Sequence, residues 1–409
     1  MDRIKLILGS ILLLAVVATG CKGVFGEKTD LEFIDKPVYT GREVAYVPIQ
    51  PVLDNFARPT QVLAGFDQLM YILDGGSEEI VSMDLSGREL HRVKIPGLKA
   101  IAQDRTLDLL ASGTYDTLVT VNGQPQTLTL ACIYRIHQSS GISHGLQHAQ
   151  ITPVIIHPYY KNIPTAIVED QEITFEGIGV LGNSNYYITR NGPNQNTGQL
   201  GGPDDAVLLV GPDLLTGEKD KFISPLIVQT PSGSVLDYFS RPVGISTLAQ
   251  PPQNAAITDS RDFLFTSVDP DLSLKVQYIK YEESENGGVY FLDELDSKDT
   301  SKADGFLYEA NKFSAPRGVT YAGDGTNYIF VVDSEKDSLY QFTSKGYEGV
   351  NPPPFSAESK QILASFGGRG QDLRQFNNPT GVAYLNKILY VADAGNGRVL
   401  RFKLTTDFD

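Results

Sequence analysis

Tryptophan is absent from the chain, and cysteine and methionine are scarce, with two and three copies among 409 residues. Two cysteines could form only one disulfide in an exported protein. Basic residues are also in deficit, because 34 Lys and Arg face 49 Asp and Glu and leave a net charge of −15. That charge keeps the protein soluble and repels phosphate backbones. We therefore expect no nucleic-acid partner.

The residues that are abundant favour β-structure. The chain is 41% hydrophobic and 20% charged, and it contains 20 Tyr and 19 Phe. A chain of this length and composition can bury a large core. Aromatic residues suit the half-buried surfaces of pleated strands. The composition favours an all-β fold over a helical bundle.

The N-terminus has the composition of an export sequence. Arg3 and Lys5 precede an apolar run from Leu6 to Val17, and small residues follow it. The run has 12 residues, whereas a helix that crosses a bilayer needs ~18 or more. The pattern therefore predicts a signal peptide over residues 1–20 rather than a permanent membrane span.

The end of this segment, Ala18-Thr19-Gly20-Cys21, resembles the lipobox of bacterial lipoproteins. The resemblance implies cleavage before Cys21, acylation of its thiol with palmitate-type chains, and stable attachment to a membrane. Lys22 replaces the Asp that would retain a lipoprotein at the inner membrane, so we expect an envelope protein on the outer membrane, facing the periplasm or the surface. Ala18 stands where Leu is usual, which leaves a secreted soluble protein as the alternative. Residues 21–50 are predicted to form the lipidated cysteine and a tether.

The second cysteine has an apolar setting. Cys132 lies within Leu128–Tyr134, a stretch of mostly apolar residues. Thiols in such surroundings pack as small hydrophobic groups and react slowly. We predict a buried structural thiol at position 132.

An internal repeat dominates the rest of the chain. Its clearest copy comprises 366–370, then Phe376-Asn377-Asn378-Pro379-Thr380-Gly381-Val382-Ala383, then a strand ending at Asp393 and a further segment ending at Phe402. This copy resembles the NHL repeat. Further copies cover 315–342, 58–83 and 241–267, and two weaker ones begin near 96 and 177.

The resemblance implies an all-β, six-bladed β-propeller over residues 51–409, with blades starting near 59, 96, 177, 242, 316 and 379. A seventh blade could lie between 130 and 175. The last copy has only three strands before the chain ends, so we expect residues 42–49 to supply its fourth strand. Such closure would remove exposed sheet edges.

Each repeated residue type has a physical reason to be there. Proline opens a strand where no N–H is needed, and glycine lets neighbouring backbones approach near a narrow axis. Aspartates that end the second strand can accept hydrogen bonds from turn amides. We predict this structural role for Asp74, Asp333 and Asp393. The alternative is a set of acids that lines the mouth of a channel.

Three arginines beside the repeat prolines form the candidate ligand site. Arg58 and Arg241 precede the prolines of their repeats and Arg317 follows Pro316, so we expect the three at equivalent corners of three blades. They could form a cationic rim for an anionic ligand, or they could pair with neighbouring acids.

Other motifs carry less weight. Gly177–Gly182 matches a dinucleotide fingerprint and Gly141–Gly145 a nucleophile elbow, but neither is followed by a predicted helix. Four histidines lie close together, at positions 137, 144, 148 and 157, where zinc binding competes with a solvated insertion loop. Acidic insertions at 203–205 and 293–299 are expected to be solvated loops, with weak calcium binding as the alternative. We expect no cofactor, and no set of metal ligands can be identified.

These features predict a non-enzymatic scaffold that binds a protein or glycan of the cell envelope. The prediction rests on the resemblance and on the lack of a catalytic set in the sequence. A metal-dependent propeller enzyme of the lactonase, esterase or lyase type, with a cation in the central channel, is the alternative. A structural subunit of a larger envelope machine is a third possibility.

Overall fold

The computed structural model describes residues 44–121, 123–157, 168–192, 205–249, 259–285, 287–296, 298–353 and 358–408. The signal peptide, Cys21 and the tether up to residue 43 lie outside these residues. The described part is built from β-strands, with short 3₁₀-helices at Leu146–His148, Val168–Glu172, Ala394–Asn396 and Thr405–Asp407. No helix in the described ranges has the length and apolar character to cross a membrane.

The first half of the chain forms three antiparallel sheets, which we call blades 1 to 3. A first strand, β1 (Tyr46–Leu53), joins the last blade of the molecule. Blade 1 contains β2 (Pro59–Ala64), β3 (Met70–Asp74), β4 (Glu79–Met83) and β5 (Glu89–Lys94). Blade 2 contains β6 (Ala100–Gln103), β7 (Leu109–Val121), β8 (Gln124–His137) and β11 (Gln150–Ile156), with a small hairpin, β9 (Ser139–Ser140) and β10 (Ser143–His144), between the last two. Blade 3 contains β12 (Thr174–Val180), β13 (Tyr186–Asn191), β14 (Ala206–Gly211) and β15 (Phe222–Pro225).

The second half forms blades 4 to 6. Blade 4 has six strands: β16 (Val228–Thr230), β17 (Gly233–Val235), β18 (Pro242–Thr247), β19 (Phe263–Ser267), β20 (Val276–Ser284) and β21 (Gly287–Leu292). Blade 5 contains β22 (Pro316–Tyr321), β23 (Ile329–Asp333), β24 (Ser338–Phe342) and β25 (Phe366–Gly367). Blade 6 contains β26 (Pro379–Leu385), β27 (Ile388–Asp393), β28 (Arg398–Leu404) and the early strand β1.

The blades close into a ring. Six hydrophobic clusters each combine residues of two blades, and together they join blades 1–2, 2–3, 3–4, 4–5, 5–6 and 6–1. Because every blade buries apolar side chains against two neighbours, the chain is a six-bladed β-propeller. The predicted all-β propeller is confirmed.

An N-terminal strand closes the last blade. Strand β1 runs antiparallel to β28, with Tyr46 opposite Leu404 and Leu53 opposite Val399. The predicted segment was 42–49, so the observed strand begins and ends four residues later. Tyr46, Val47 and Leu53 are buried. Tyr46 packs in the cluster between blades 5 and 6, and Leu53 packs in the cluster between blades 6 and 1. The strand crosses the predicted boundary between tether and propeller at residue 50.

The region from 130 to 175 adds no seventh blade in its described residues. Strands β8 and β11 pair with each other and belong to blade 2. The copy that begins near 96 is therefore long because β7 and β8 form an extended hairpin, paired from Leu109–Ile136 to Val121–Gln124.

Glycines in the first strands let the blades meet near the axis. A Cβ atom at Gly244 would lie 2.3 Å from the carbonyl oxygen of Arg317, and one at Gly381 would lie 2.8 Å from that of Thr60. Blade 1 has Gln61 at the corresponding position, and its side-chain amide exchanges hydrogen bonds of 2.8 and 2.9 Å with the backbone of Ile101 in blade 2. The first strands of neighbouring blades are thus joined in one of two ways. Their backbones approach closely at a glycine, or a side-chain amide makes the hydrogen bonds that a backbone would make.

Candidate functional site

A cavity of about 790 Å³ opens at one end of the propeller axis. The first strands of the blades and the residues just before them line it, so we call it the axial cavity. Its lining contains four basic side chains, at positions 58, 99, 317 and 369, and three acidic ones, at 176, 335 and 337. No aromatic residue is among the described residues that line it. In a chain with a marked acidic excess, this is a polar and locally cationic site.

The three repeat aspartates hold the backbone beside this cavity. Asp74, Asp333 and Asp393 are at most 1% exposed. Asp74 accepts the N–H groups of Ala57 and Arg58 at 2.8 and 2.7 Å. Burial raises the pKa of Asp74, but these hydrogen bonds and one from Gly76 outweigh it and hold the pKa below its ordinary value.

The other two aspartates act in the same way. Asp333 accepts the N–H groups of Ser314 at 2.6 Å and Ala315 at 3.1 Å, and Asp393 accepts that of Asn377 at 2.7 Å. In each blade the acceptor ends the second strand, and the donors precede the first. All three carboxylates thus accept hydrogen bonds from backbone amides of a turn.

Blade 4 uses a hydroxyl where blades 1, 5 and 6 use a carboxylate. Ser267 pairs in register with Pro242, as Asp74 does with Pro59. Its Oγ donates to the carbonyl of Ser240 at 2.6 Å. The end of the second strand is thus again joined to the residues before the first, but here the side chain donates and the backbone accepts.

Two of the three arginines predicted to form a rim line the cavity. Arg58 precedes β2, and Arg317 is the second residue of β22. Arg369, which the sequence analysis did not single out, joins them from the turn between blades 5 and 6. All three side chains are exposed. Blades 5, 6 and 1 are consecutive in the ring, so the arginines occupy one half of the cavity wall.

Arg241 is not part of the cavity lining. Its backbone is left-handed, with φ of 41°, and its N–H donates to Asp205 at 2.9 Å. Its charge acts on Asp269 instead: a hydrogen bond from Ser240 is the main cause that lowers the pKa of Asp269, and Arg241 adds to it. Arg241 is therefore placed apart from the other two arginines.

The cations of the cavity differ in their partners. Lys99 of blade 2 donates to Glu176 of blade 3 at 2.6 Å. The guanidinium groups of Arg58, Arg317 and Arg369 form no ion pair or hydrogen bond with any described residue. The two halves of the wall are thus unequal, because one holds a closed ion pair and the other three available cations.

Two of the three acids of the cavity, Glu335 and Asp337, lie in blade 5, on the side of the arginines. Asp337 is buried and accepts the N–H of Asn378 at 2.6 Å, whereas Glu335 is exposed. Within the described residues, no group of three or more His, Cys, Asp or Glu side chains is placed to hold a metal ion.

The opposite end of the axis is narrower. A space of about 50 Å³ lies between the first strands there, lined by residues such as Leu63, Ser246 and Ala383. Arg105 of blade 2 stacks on Phe66 of blade 1 at 4.2 Å and donates to the carbonyl of Ala249 in blade 4 at 3.0 Å. Blades 2 and 4 are not neighbours, so this side chain reaches across the inner opening. Burial lowers the pKa of Arg105.

The four histidines do not form one site. His137 contacts Asp108 at 2.8 Å, His144 contacts Asp67 at 2.9 Å, and the fully buried His157 contacts Asp170 at 3.2 Å. The expectation of solvated loop histidines is therefore wrong for His157. Each of these three rings has its own carboxylate partner, and the contacts join segments of blades 1, 2 and 3.

The remaining sequence candidates have structural partners. Cys132 is fully buried, as predicted. Asp205 accepts the N–H of Gly192 at 3.1 Å. Asp293 pairs with Lys280 at 2.8 Å and Asp296 with Lys345 at 3.0 Å. Positions 203 and 204 of the first acidic insertion and position 297 of the second lie outside the described residues.

Comparison with known proteins supports the fold. The NHL repeat family model matches residues 376–402, which include most of blade 6. No curated protein matches the chain.

Solved propeller structures resemble the chain at low identity. The PQQ-bound aldose sugar dehydrogenase of Streptomyces coelicolor is 13% identical, with a TM-score of 0.52 over 89% of this chain and 99% of that one. A luciferin-regenerating enzyme is 10% identical, with a TM-score of 0.50 over 88% and 95% of the two chains. An auxiliary nutrient binding protein of Bacteroides thetaiotaomicron is 14% identical, with a TM-score of 0.44 over 85% and 69%. The likeness to the first two structures shows the fold alone and leaves function to the site. The chain is thus a six-bladed β-propeller with an NHL repeat in its last blade.

Proposed function

We propose that the protein is an envelope lipoprotein, anchored through Cys21, whose propeller binds an envelope partner without converting it. The mouth of the axial cavity is the proposed binding surface. The observation that carries this proposal is the set of three guanidinium groups at the mouth that have no partner among the described residues. Charged groups that converge on a concave surface without internal partners are typical of recognition sites.

The anchor follows from the sequence alone. A signal peptide that ends in Ala18-Thr19-Gly20-Cys21 supports acylation, and more than one acyl chain gives stable attachment. Incorporation of a palmitate analogue should occur in the wild type and be lost in Cys21→Ser, with the variant released from the membrane fraction. Equal labelling of both proteins would contradict the anchor. Separation of inner and outer membranes then tests the expected outer-membrane location.

The binding surface can be tested by photo-cross-linking in living cells. A photoreactive residue at Glu335, which is exposed at the cavity mouth, should give a specific adduct. The matched control is Leu215, which is 96% exposed in the turn between β14 and β15 of blade 3. Adducts of equal yield from both positions, or none from Glu335, would contradict the proposed surface.

A second measurement separates this proposal from the enzymatic alternative. Elemental analysis and thermal melting of the purified chain, with and without calcium and a chelator, would reveal a resident ion. A stoichiometric ion whose removal lowers the Tm would contradict the non-enzymatic proposal and favour a metal-dependent propeller enzyme.

A further inference from the structure

Three unpartnered arginines occupy one half of the axial cavity, and they come from three consecutive blades. Arg317 belongs to blade 5, Arg369 to the turn that enters blade 6, and Arg58 to the start of blade 1. Glu335 and Asp337 of blade 5 line the same half, so the three guanidinium groups leave it with a net positive charge, which favours a bound anion. A guanidinium offers a planar pair of N–H donors that fits carboxylate and phosphate oxygens.

The backbone holds these arginines in place. Asp74 fixes the N–H of Arg58 at 2.7 Å. Thr380 of blade 6 donates to the carbonyl of Thr60 in blade 1 at 2.9 Å, and Asn378 of blade 6 donates its N–H to Asp337 in blade 5 at 2.6 Å. The three blades that carry the arginines are therefore joined at the cavity wall, so the backbone does not need to rearrange to present them.

The rest of the lining limits the chemistry of the ligand. Ligand pockets are usually lined by apolar and aromatic side chains with a few polar groups. The described lining of this cavity has no aromatic ring, and beside aliphatic residues it contains Thr60, Ser334, Asn377 and Asn378. A flat aromatic ligand would find no stacking partner there, whereas a hydrophilic anion would find charges and hydrogen-bonding groups.

We infer that the axial cavity binds a small, hydrophilic, multiply charged oxyanion, rich in carboxylate or phosphate oxygens, through Arg58, Arg317 and Arg369. The inference rests on the proposed function and specifies its ligand chemistry. The anion has two sources that share this chemistry: a free small molecule, or an acidic sugar at the end of an envelope glycan. The Lys99–Glu176 pair closes the other half of the wall, so the anion lies on the side of blades 5, 6 and 1.

The experiment measures binding calorimetrically to the full chain in detergent, at low and high salt. The probes are inorganic phosphate, citrate, a short oligosaccharide of uronic acids, and a neutral oligosaccharide of the same length. We expect the Kd of at least one anionic probe to rise with salt, because exposed charges are screened. Phosphate or citrate binding indicates a free ligand, binding of the acidic oligosaccharide alone indicates a glycan, and both support the inference.

Variants assign the site. Arg58→Gln, Arg317→Gln and Arg369→Gln should each raise the Kd about tenfold, the weak end of what a charge-assisted hydrogen bond provides. Arg317→Lys should weaken binding less than Arg317→Gln, since lysine keeps the positive charge. Arg241→Gln is the matched control, because this arginine stands at a repeat position yet lies outside the cavity, and its Kd should equal that of the wild type. Unchanged Tm values would show that each variant is folded.

Three results would overturn the inference: no anionic probe binds the folded wild type, the neutral oligosaccharide binds as tightly as the acidic one, or Arg241→Gln weakens binding as much as the cavity variants. Failure of this inference differs from failure of the proposed function. If anions do not bind but the photoreactive residue at position 335 still captures an envelope partner, the binding surface stands and only its ligand chemistry is wrong.

Discussion

Asp74 accepts the backbone N–H of Arg58 through Oδ1, at 2.7 Å. A buried structural carboxylate thus fixes the residue that presents a cavity arginine. Asp333 acts similarly in blade 5, where it accepts the N–H of Ala315, two residues before Arg317. The residues that build the repeat and those that line the cavity belong to the same turns, so the stability of these turns and the shape of the site are linked.

The first prediction concerns this carboxylate. Asp74→Ala should lower the free energy of unfolding by about 2–3 kcal/mol, because three backbone N–H groups lose their acceptor. Denaturant unfolding followed by circular dichroism measures the change. Asp54→Ala, at an exposed aspartate, is the control and should stay within about 0.5 kcal/mol of the wild type. Equal values for the two variants would refute the structural role of Asp74.

The same residue gives a prediction of pH dependence. The pKa of Asp74 lies below its ordinary value of 3.8 in the folded protein. The ionised form therefore stabilises the fold above pH 3.8, and this contribution is lost as the pH falls through the lower folded pKa. In urea unfolding from neutral pH to about pH 3, the stability difference between wild type and Asp74→Asn should stay constant above pH 5 and shrink at the acidic end. A stability difference that widens on acidification would contradict the lowered pKa of Asp74.

The repeat residues made the first strand of each blade predictable. The accuracy of the predicted strand start depends on how closely a copy follows the repeat. Strands start at Pro59, Pro242, Pro316 and Pro379, as the sequence pattern predicts. The two weaker copies were predicted less accurately: they were expected to begin near 96 and 177, and their first strands begin at Ala100 and Thr174. Local chemistry locates an element where a proline fixes its first residue, and tertiary pairing decides where it does not.

The cavity was less predictable than the fold. Arg241 precedes its repeat proline as Arg58 does, yet it lies outside the cavity lining. Arg369 lies outside the repeat position and follows Gly367 and Gly368, whose φ values are 145° and 112°. Side-chain direction thus depends on turn conformation, which composition and spacing do not specify. The glycine pair before Arg369 was the one feature that could have indicated an unusual turn there.

A second substitution tests the contact between blades. Gly244→Ala should destabilise the protein by about 1–3 kcal/mol, because its Cβ would lie 2.3 Å from the carbonyl oxygen of Arg317 and the strands would have to separate. Thermal and denaturant unfolding measure the effect. Gly211→Ala is the control, since its Cβ would meet only the flexible amide of Asn185, at 3.2 Å. A Gly244→Ala protein as stable as the control would mean that the first strands of blades 4 and 5 are not in close contact at this position.

The last prediction concerns closure of the ring by β1. Tyr46 is 2% exposed, and its ring centroid lies 5.9 Å from that of Phe366 and 6.4 Å from that of Phe330, both outside its own blade. Burial also raises the pKa of its hydroxyl. Tyr46→Ala should therefore cost about 3–5 kcal/mol, since it leaves a large cavity beside blade 5 and weakens the strand that covers the edge of blade 6.

The control for closure keeps the ring and removes only the hydroxyl. Tyr46→Phe should stay within about 1 kcal/mol of the wild type, while Tyr46→Ala should also aggregate more readily, because the free edge of β28 can pair with other chains. Denaturant unfolding and light scattering measure the two effects. If Tyr46→Ala unfolded at the wild-type denaturant concentration and stayed monomeric, β1 would not be what closes the propeller, and the stability of blade 6 would have to come from its own three strands.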